Sequence, residues 1–290
     1  MFEGTYTALV TPFNASGAVD YGTLQKLTEM QIAAGVDGLV PVGTTGESPT
    51  LDYDEHKKVI ETVVKTARGR IKVIAGTGAN ATAEAVELTR FAKDIGADGT
   101  LQVTPYYNKP SQAGLIRHFS AVADLGLPVV LYNVPGRSAR EIDVATVAEL
   151  SKHPHIVAVK EAGGSVERVS RIRAACTITI VSGDDGLTLP MMVCGAEGVI
   201  SVASNIAPAL VVELVRAARQ NEWLRARALH EQLFALFTDL FLDTNPIPVK
   251  AAMAMAGLIE ETYRLPLCEM APAPRARLRA TLVALGLVKA

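Results

Sequence analysis

The run Ile156-Val157-Ala158-Val159 ends in Lys160-Glu161, which gives Lys160 the clearest claim to covalent chemistry in this chain. A β-branched apolar run fits a strand buried on both faces, where an ammonium is costly. A lysine held there is driven towards its neutral amine, a nucleophile for carbonyl carbon. A lysine that has just left its strand would instead snorkel to water. The segment alone does not separate the two readings, so the residues ending the other strand-like runs carry the decision.

Those endings are rich in hydroxyls and guanidinium. Gly43-Thr44-Thr45-Gly46-Glu47 follows the second run. Its glycines allow tight turns with free N–H groups, and its paired hydroxyls can hold an oxyanion or pass a proton. An ordinary turn with a threonine capping the next helix has the same composition. The fourth run ends Val103-Thr104-Pro105-Tyr106-Tyr107-Asn108, and the fifth Leu131-Tyr132-Asn133-Val134-Pro135-Gly136-Arg137. Ser182-Gly183-Asp184-Asp185 closes the seventh and Ile200-Ser201 the eighth. Taken singly, each tyrosine reads as an amphipathic packing residue and Arg137 as surface charge. Together they supply an amine nucleophile, phenol and hydroxyl proton carriers, and a guanidinium for a carboxylate.

The elements that must position these residues repeat. Strand-like runs begin near Thr5, Val36, Ile71, Asp98, Pro128, His155, Ile178 and Gly198, each followed by a helix-like stretch. In residues 53–67, for example, Val59, Ile60, Val63, Val64 and Ala67 fall on one helical face. Eight such units predict an α/β fold, a closed (β/α)8 TIM barrel over residues 1–220, with chemistry on the loops after the strands. No GxGxxG loop supports an open dinucleotide-binding sheet. Residues 221–290 lack strand-like alternation and read as a small C-terminal helical domain. Its helices are expected over 222–242, 249–258 and 275–285, broken at Asn245-Pro246-Ile247-Pro248 and by Pro266, Pro272 and Pro274.

Bulk properties narrow the partners. Net charge is −2 with acids and bases interspersed, and no basic block or aromatic-interleaved patch marks a nucleic-acid surface. The apolar runs are too short for a bilayer, and Met1-Phe2-Glu3-Gly4 leads straight into a strand-like run, so neither membrane nor secretion is expected and the location reads as cytoplasmic. Cys176, Cys194 and Cys268 are far apart and are expected as buried thiols of a reducing compartment. His153-Pro154-His155 has the look of a metal pair. It precedes its strand, however, and belongs at the opposite end of the sheet from the other candidates, so no metal is expected.

The motifs Gly43-Thr44-Thr45-Gly46-Glu47, Tyr132-Asn133-Val134-Pro135-Gly136-Arg137, Val159-Lys160-Glu161, Ser182-Gly183-Asp184-Asp185 and Asn245-Pro246-Ile247-Pro248-Val249-Lys250 resemble the dihydrodipicolinate synthase branch of the lysine Schiff-base aldolases. That family also holds N-acetylneuraminate lyase, and the resemblance runs from Phe2 to the last helix. It implies that Lys160 forms an imine with pyruvate, which becomes an enamine and adds to L-aspartate-4-semialdehyde. The product cyclises to 4-hydroxy-tetrahydrodipicolinate, a step of lysine and diaminopimelate biosynthesis, and no cofactor is needed. The resemblance assigns proton shuttling to Tyr132 with Thr44 and Tyr107, the last reaching across a dimer interface. It gives the pyruvate carboxylate to Thr45, the semialdehyde carboxylate to Arg137, and the pocket lining to Gly183 and Ile200.

It also implies a feedback site for L-lysine at Ser48, His56, Asn80, Glu84 and Tyr106. A helix start is the competing reading there, with Asn80 and Thr82 as caps and Glu84 in the first turn. Members are homo-oligomers, usually dimers of dimers. The chain departs from common patterns at Pro49, Tyr53 and Ser138-Ala139. Gly-Thr-Thr-Gly-Glu and Arg137 favour the synthase over N-acetylneuraminate lyase. A 2-keto-3-deoxy sugar-acid aldolase is the alternative, because acceptor choice rests on few residues. A non-catalytic binding paralogue would lack the nucleophile or the relay, and both are present.

Overall fold

A computed structural model describes residues 1–289. Eight parallel strands close into one barrel in sequence order: β1 (Gly4–Ala8), β2 (Gly38–Val40), β3 (Lys72–Gly76), β4 (Gly99–Val103), β5 (Val129–Asn133), β6 (Ile156–Glu161), β7 (Thr179–Ser182) and β8 (Gly198–Ser201). β8 pairs back onto β1, with Tyr6 opposite Ile200. Around them run α1 (Tyr21–Ala33), α2 (Tyr53–Ala67), α3 (Thr82–Asp94), α4 (Gln112–Ala123), the single turn α5 (Pro135–Ser138), α6 (Val144–Leu150), α7 (Val166–Ala175), α8 (Thr188–Val193) and α9 (Pro208–Arg219). Three further helices follow: α10 (Trp223–Asp239), α11 (Ile247–Met255) and α12 (Pro272–Ala284). The barrel and every strand-like run fall where expected, to within a residue or two.

The core splits into two shells because side chains alternate across a strand. Val130, Tyr132, Ala158, Val181 and Ile200 point into the barrel with Tyr6, Val40, Ile74 and Leu101. Val129, Leu131, Val159, Ile180 and Val199 point outward, under the helices. The helices meet that outer shell with apolar stripes. In α2 the buried positions are His56, Val59, Ile60, Val63 and Ala67, and an Asp52–Glu55 capping box satisfies the first-turn N–H groups.

One irregularity bears on the site. Val129 pairs with Ile156, but Val130 pairs with Ala158, so Val157 is an extra residue in β6. The shift sets Tyr132 beside Lys160 and Asn133 beside Glu161. Without it, Tyr132 would lie beside Val159, whose side chain points to the opposite face.

The chain after α9 does not stand apart from the barrel. Lys250, on α11, reaches Glu47 after β2, and Arg264 pairs with Glu55 on α2. The cysteines differ from expectation: all three are free thiols, but Cys176 and Cys194 are only half-buried and Cys268 is exposed. Cys268 sits in an irregular, proline-containing segment with no helix to cover it.

Candidate active site

Lys160 is buried inside the barrel, two residues after inward-facing Ala158 on β6. Its Nζ lies 4.2 Å from the centroid of the Tyr132 ring on β5. The space it occupies exists because position 183, just past β7, is glycine. A Cβ there would come within 2.9 Å of Lys160 Cε and 2.7 Å of Ala162 Cβ. Ile200, from β8, joins the same inner layer. The neighbour of Lys160 along the strand faces the other way. Glu161 is fully buried behind the barrel wall and accepts from Arg168 Nε at 2.7 Å, Asn133 Nδ2 at 2.9 Å and the Gly163 N–H at 2.8 Å. That bonding accounts for a carboxylate out of water and seats the end of β6.

A cleft of about 210 Å³ opens at the carboxyl ends of β2 to β5, with Thr44, Ser48, Tyr106, Tyr132 and Arg137 among its walls. Its size suits a small acid rather than a nucleotide. The loop from 43 to 47 forms one side. Its two ends, Val42 and Glu47, both adopt a left-handed backbone, with φ of 56° each. For a β-branched residue such as Val42 that is a true outlier. Thr44 faces the cleft. Thr45 is buried behind it, and its Oγ1 accepts from Asn245 Nδ2 at 3.0 Å. With that lone pair used, the Thr45 hydroxyl proton is free to be donated.

Arg137, on α5, donates through Nη2 to the backbone carbonyl of Asn245 at 3.1 Å. Beyond β7, the two acids serve local structure. Asp184 Oδ1 accepts from the N–H groups of Gly186 and Leu187. Asp185 is fully buried and takes the Ser201 hydroxyl and the N–H groups of Val202 and Ala203. Burial pushes the Asp185 carboxyl up, against those donated hydrogen bonds.

Tyr107 does not join the cleft of its own chain. It is 92% exposed and carries a positive φ of 72°, so the backbone turns its ring outward from the loop after β4. The expected effector residues are divided. Ser48 and Tyr106 line the cleft itself. Asn80 donates to the Tyr106 carbonyl at 3.3 Å. Burial, and then the nearby Glu84 carboxylate, hold the Tyr106 phenol above its ordinary range. His56 is buried, and its Nε2–H donates to the Gly76 carbonyl at 2.7 Å. Desolvation keeps that imidazole below its usual value. The competing reading holds in part: α3 starts at Thr82 with Glu84 in its first turn, but its N-cap is Ala81, without a side-chain bond, and Thr82 bonds His118 Nδ1 instead. His153 lies before β6, where its Nε2 meets Asp124, away from the cleft.

Three residues given no role by the sequence meet at this site. Asn245 bonds both Thr45 and Arg137, and Lys250 Nζ contacts Glu47 Oε1 at 2.5 Å with both side chains wholly buried. Burial pushes the Lys250 ammonium below its ordinary range, and the Glu47 carboxylate opposes that shift. A lone charge within the otherwise apolar Ile247–Met255 stretch is the signal that could have found it.

A parallel (β/α)8 barrel whose strand ends carry a small cleft with several hydroxyls and a guanidinium on its walls, beside a buried lysine, has the build of a lysine-dependent barrel lyase. The chain matches the model of the Dihydrodipicolinate synthetase family over residues 1–285, and it belongs to that family. It is 52% identical over 291 residues to the 4-hydroxy-tetrahydrodipicolinate synthase of Pelobacter propionicus, covering 99% of this chain and 100% of that one. The dihydrodipicolinate synthase structure from Aquifex aeolicus superposes with a TM-score of 0.98 at 51% identity, over the whole of both chains. The enzyme from Acinetobacter baumannii, solved in complex with pyruvate, gives 0.97 at 43% identity over 99% of this chain and 100% of that one.

Proposed function

We infer that this chain condenses pyruvate with L-aspartate-4-semialdehyde to form 4-hydroxy-tetrahydrodipicolinate, a step towards diaminopimelate and lysine. The observation that carries the reading is Lys160 Nζ buried 4.2 Å from the Tyr132 ring centre, next to a hydroxyl-lined cleft of the right size for a keto acid. Full-length identity to synthases favours this over cleavage of sugar acids.

In this reading Lys160 Nζ bonds to the keto carbon of pyruvate and water leaves, giving an imine. The imine draws electrons from the adjacent methyl, which gives up a proton and becomes an enamine carbon. That carbon bonds to the aldehyde carbon of the semialdehyde, whose oxygen takes a proton. The semialdehyde's own amine then attacks the imine carbon and displaces Lys160, closing the ring. One water is lost overall, and the lysine is returned.

Tyr132 and Thr44 are suited to move these protons, since a hydroxyl both donates and accepts without building net charge. Tyr107, turned outward, would complete the relay from a second copy of the chain, so the enzyme would act as at least a dimer, with a dimer of dimers the expected assembly. Thr45 would donate to the pyruvate carboxylate and Arg137 would pair with that of the semialdehyde. The barrel, residues 1–220, would carry the chemistry, and residues 221–290 would brace it. Among the described residues no helix is long and apolar enough to cross a membrane, and a cytoplasmic setting fits the pathway. Ser48 and Tyr106 on the cleft wall, with Asn80 and Glu84 beside them, make L-lysine a candidate effector. Unchanged rates at roughly millimolar lysine, the range of a weak site, would remove that part.

The test is borohydride reduction with pyruvate, followed by mass mapping. An adduct is expected on Lys160; one on another lysine, or none, would overturn the mechanism. Consumption of the semialdehyde slower than cleavage of a 2-keto-3-deoxy sugar acid would overturn the substrate assignment.

A further inference from the structure

The loop that carries Thr44 and Thr45 is held by something more costly than a turn. Glu47 ends it in a left-handed conformation and sends its carboxylate inward to Lys250, 203 residues further along the chain. Lys250 Nζ also lies 4.2 Å from the centre of the Phe13 ring. Both charges are out of water, and replacing such a pair with apolar side chains often leaves a protein equally or more stable. What an ion pair adds is direction: it accepts one geometry, where an apolar contact accepts many. The direction here is specific. It fixes the end of a loop whose other end, Val42, is strained, and whose Gly46 packs so tightly that a Cβ would meet Val42 N at 2.9 Å.

We propose that Lys250 is a positioning residue: through its buried ion pair with Glu47 it aims the Thr45 hydroxyl at the carboxylate of the keto acid and holds the Thr44 hydroxyl facing the cleft. The inference rests on the Schiff-base reading above and deepens it. Lys250 touches no substrate atom in this arrangement. The chain after the barrel thereby sets substrate affinity as well as covering the core, and Asn245 bonding to Thr45 works on the same loop from the same segment.

The variant Lys250→Met leaves Glu47 buried without a partner and is expected to fold poorly. The double variant E47L/K250M replaces both charges with apolar side chains and is the informative one. It is expected to melt at or above the wild-type temperature. Its half-saturating pyruvate concentration for borohydride trapping should rise about tenfold, the factor for one lost tenfold step in affinity. The fraction trapped at saturation should stay at the wild-type level, and KM for pyruvate should change more than kcat. A folded double variant with wild-type half-saturation would overturn the inference. So would a double variant that does not fold, since the pair would then serve stability alone. Failure of the wild-type protein to trap pyruvate at all would instead sink the Schiff-base reading.

Discussion

Gly183→Ala is the smallest change expected to disable the chemistry without touching a polar group. Gly183 does not need its conformational freedom, as its φ is unexceptional; it needs the absence of a Cβ. The added methyl would sit 2.9 Å from Lys160 Cε, 3.2 Å from Lys160 Cγ and 2.7 Å from Ala162 Cβ. Ordinary carbon contacts lie at about 3.5–4.0 Å, so both neighbours must retreat by roughly 0.6–1.3 Å. Ala162 is tied to the backbone at the end of β6 and yields little. The flexible end of Lys160 gives way, and its Nζ is the next atom along.

A misplacement of about 1 Å at a reacting group costs about 10²-fold in rate, or about 2.7 kcal/mol of barrier. Overpacking adds a stability loss of about 1–3 kcal/mol, small enough to leave most of a well-formed barrel folded. The assay is kcat and KM for pyruvate in coupled turnover, beside single-turnover trapping by borohydride and a thermal melt. A folded variant should form the Lys160 adduct about a hundredfold more slowly. Trapping at the wild-type rate would show that Lys160 does not depend on the room Gly183 leaves, and the proposed geometry would be wrong.

Other outcomes follow from the same structure. Tyr132→Phe should keep the fold, since the ring's packing survives, and should lower kcat by about 10²–10⁴-fold, the range for a positioned proton carrier; a drop under tenfold in steady-state turnover would count against the role. Mixing inactive Tyr107→Phe with inactive Lys160→Ala subunits should restore activity, because a mixed dimer holds one site with both groups; no recovery after subunit exchange would argue against Tyr107 acting across copies. His118 is buried, and desolvation alone lowers its pKa to about 4. The unfolded chain, with an ordinary histidine value near ~6.5, therefore binds the proton first as pH falls. The stability due to neutral His118 is complete above that value and is lost between ~6.5 and about 4, a total of about 3 kcal/mol. Urea melts at pH 7 and 4.5 should show a smaller loss in His118→Gln than in wild type; equal losses would refute it.

Composition and period already specify much of this protein. Alternation with period two in β-branched runs and period 3.6 between them depends on neighbouring residues only, so eight βα units and their order are readable along the chain. The residue types at the strand ends are readable too, which is why Lys160, Tyr132, Thr44 and Arg137 can be nominated as a set. What the chain alone does not disclose is register and long-range contact. The extra Val157 in β6 decides that Lys160 stands beside Tyr132, and it is set by which backbone groups of two strands pair. The left-handed turn at Tyr107 sends one nominated residue outward, though its neighbour Tyr106 stays on the cleft. Asn245 and Lys250 meet Thr45 and Glu47 across 200 and 203 residues. No local pattern encodes such meetings, because the free energy that makes them arises only when distant elements exclude water together. Sequence thus supplied the groups at the strand ends, and packing alone decided which of them stand together.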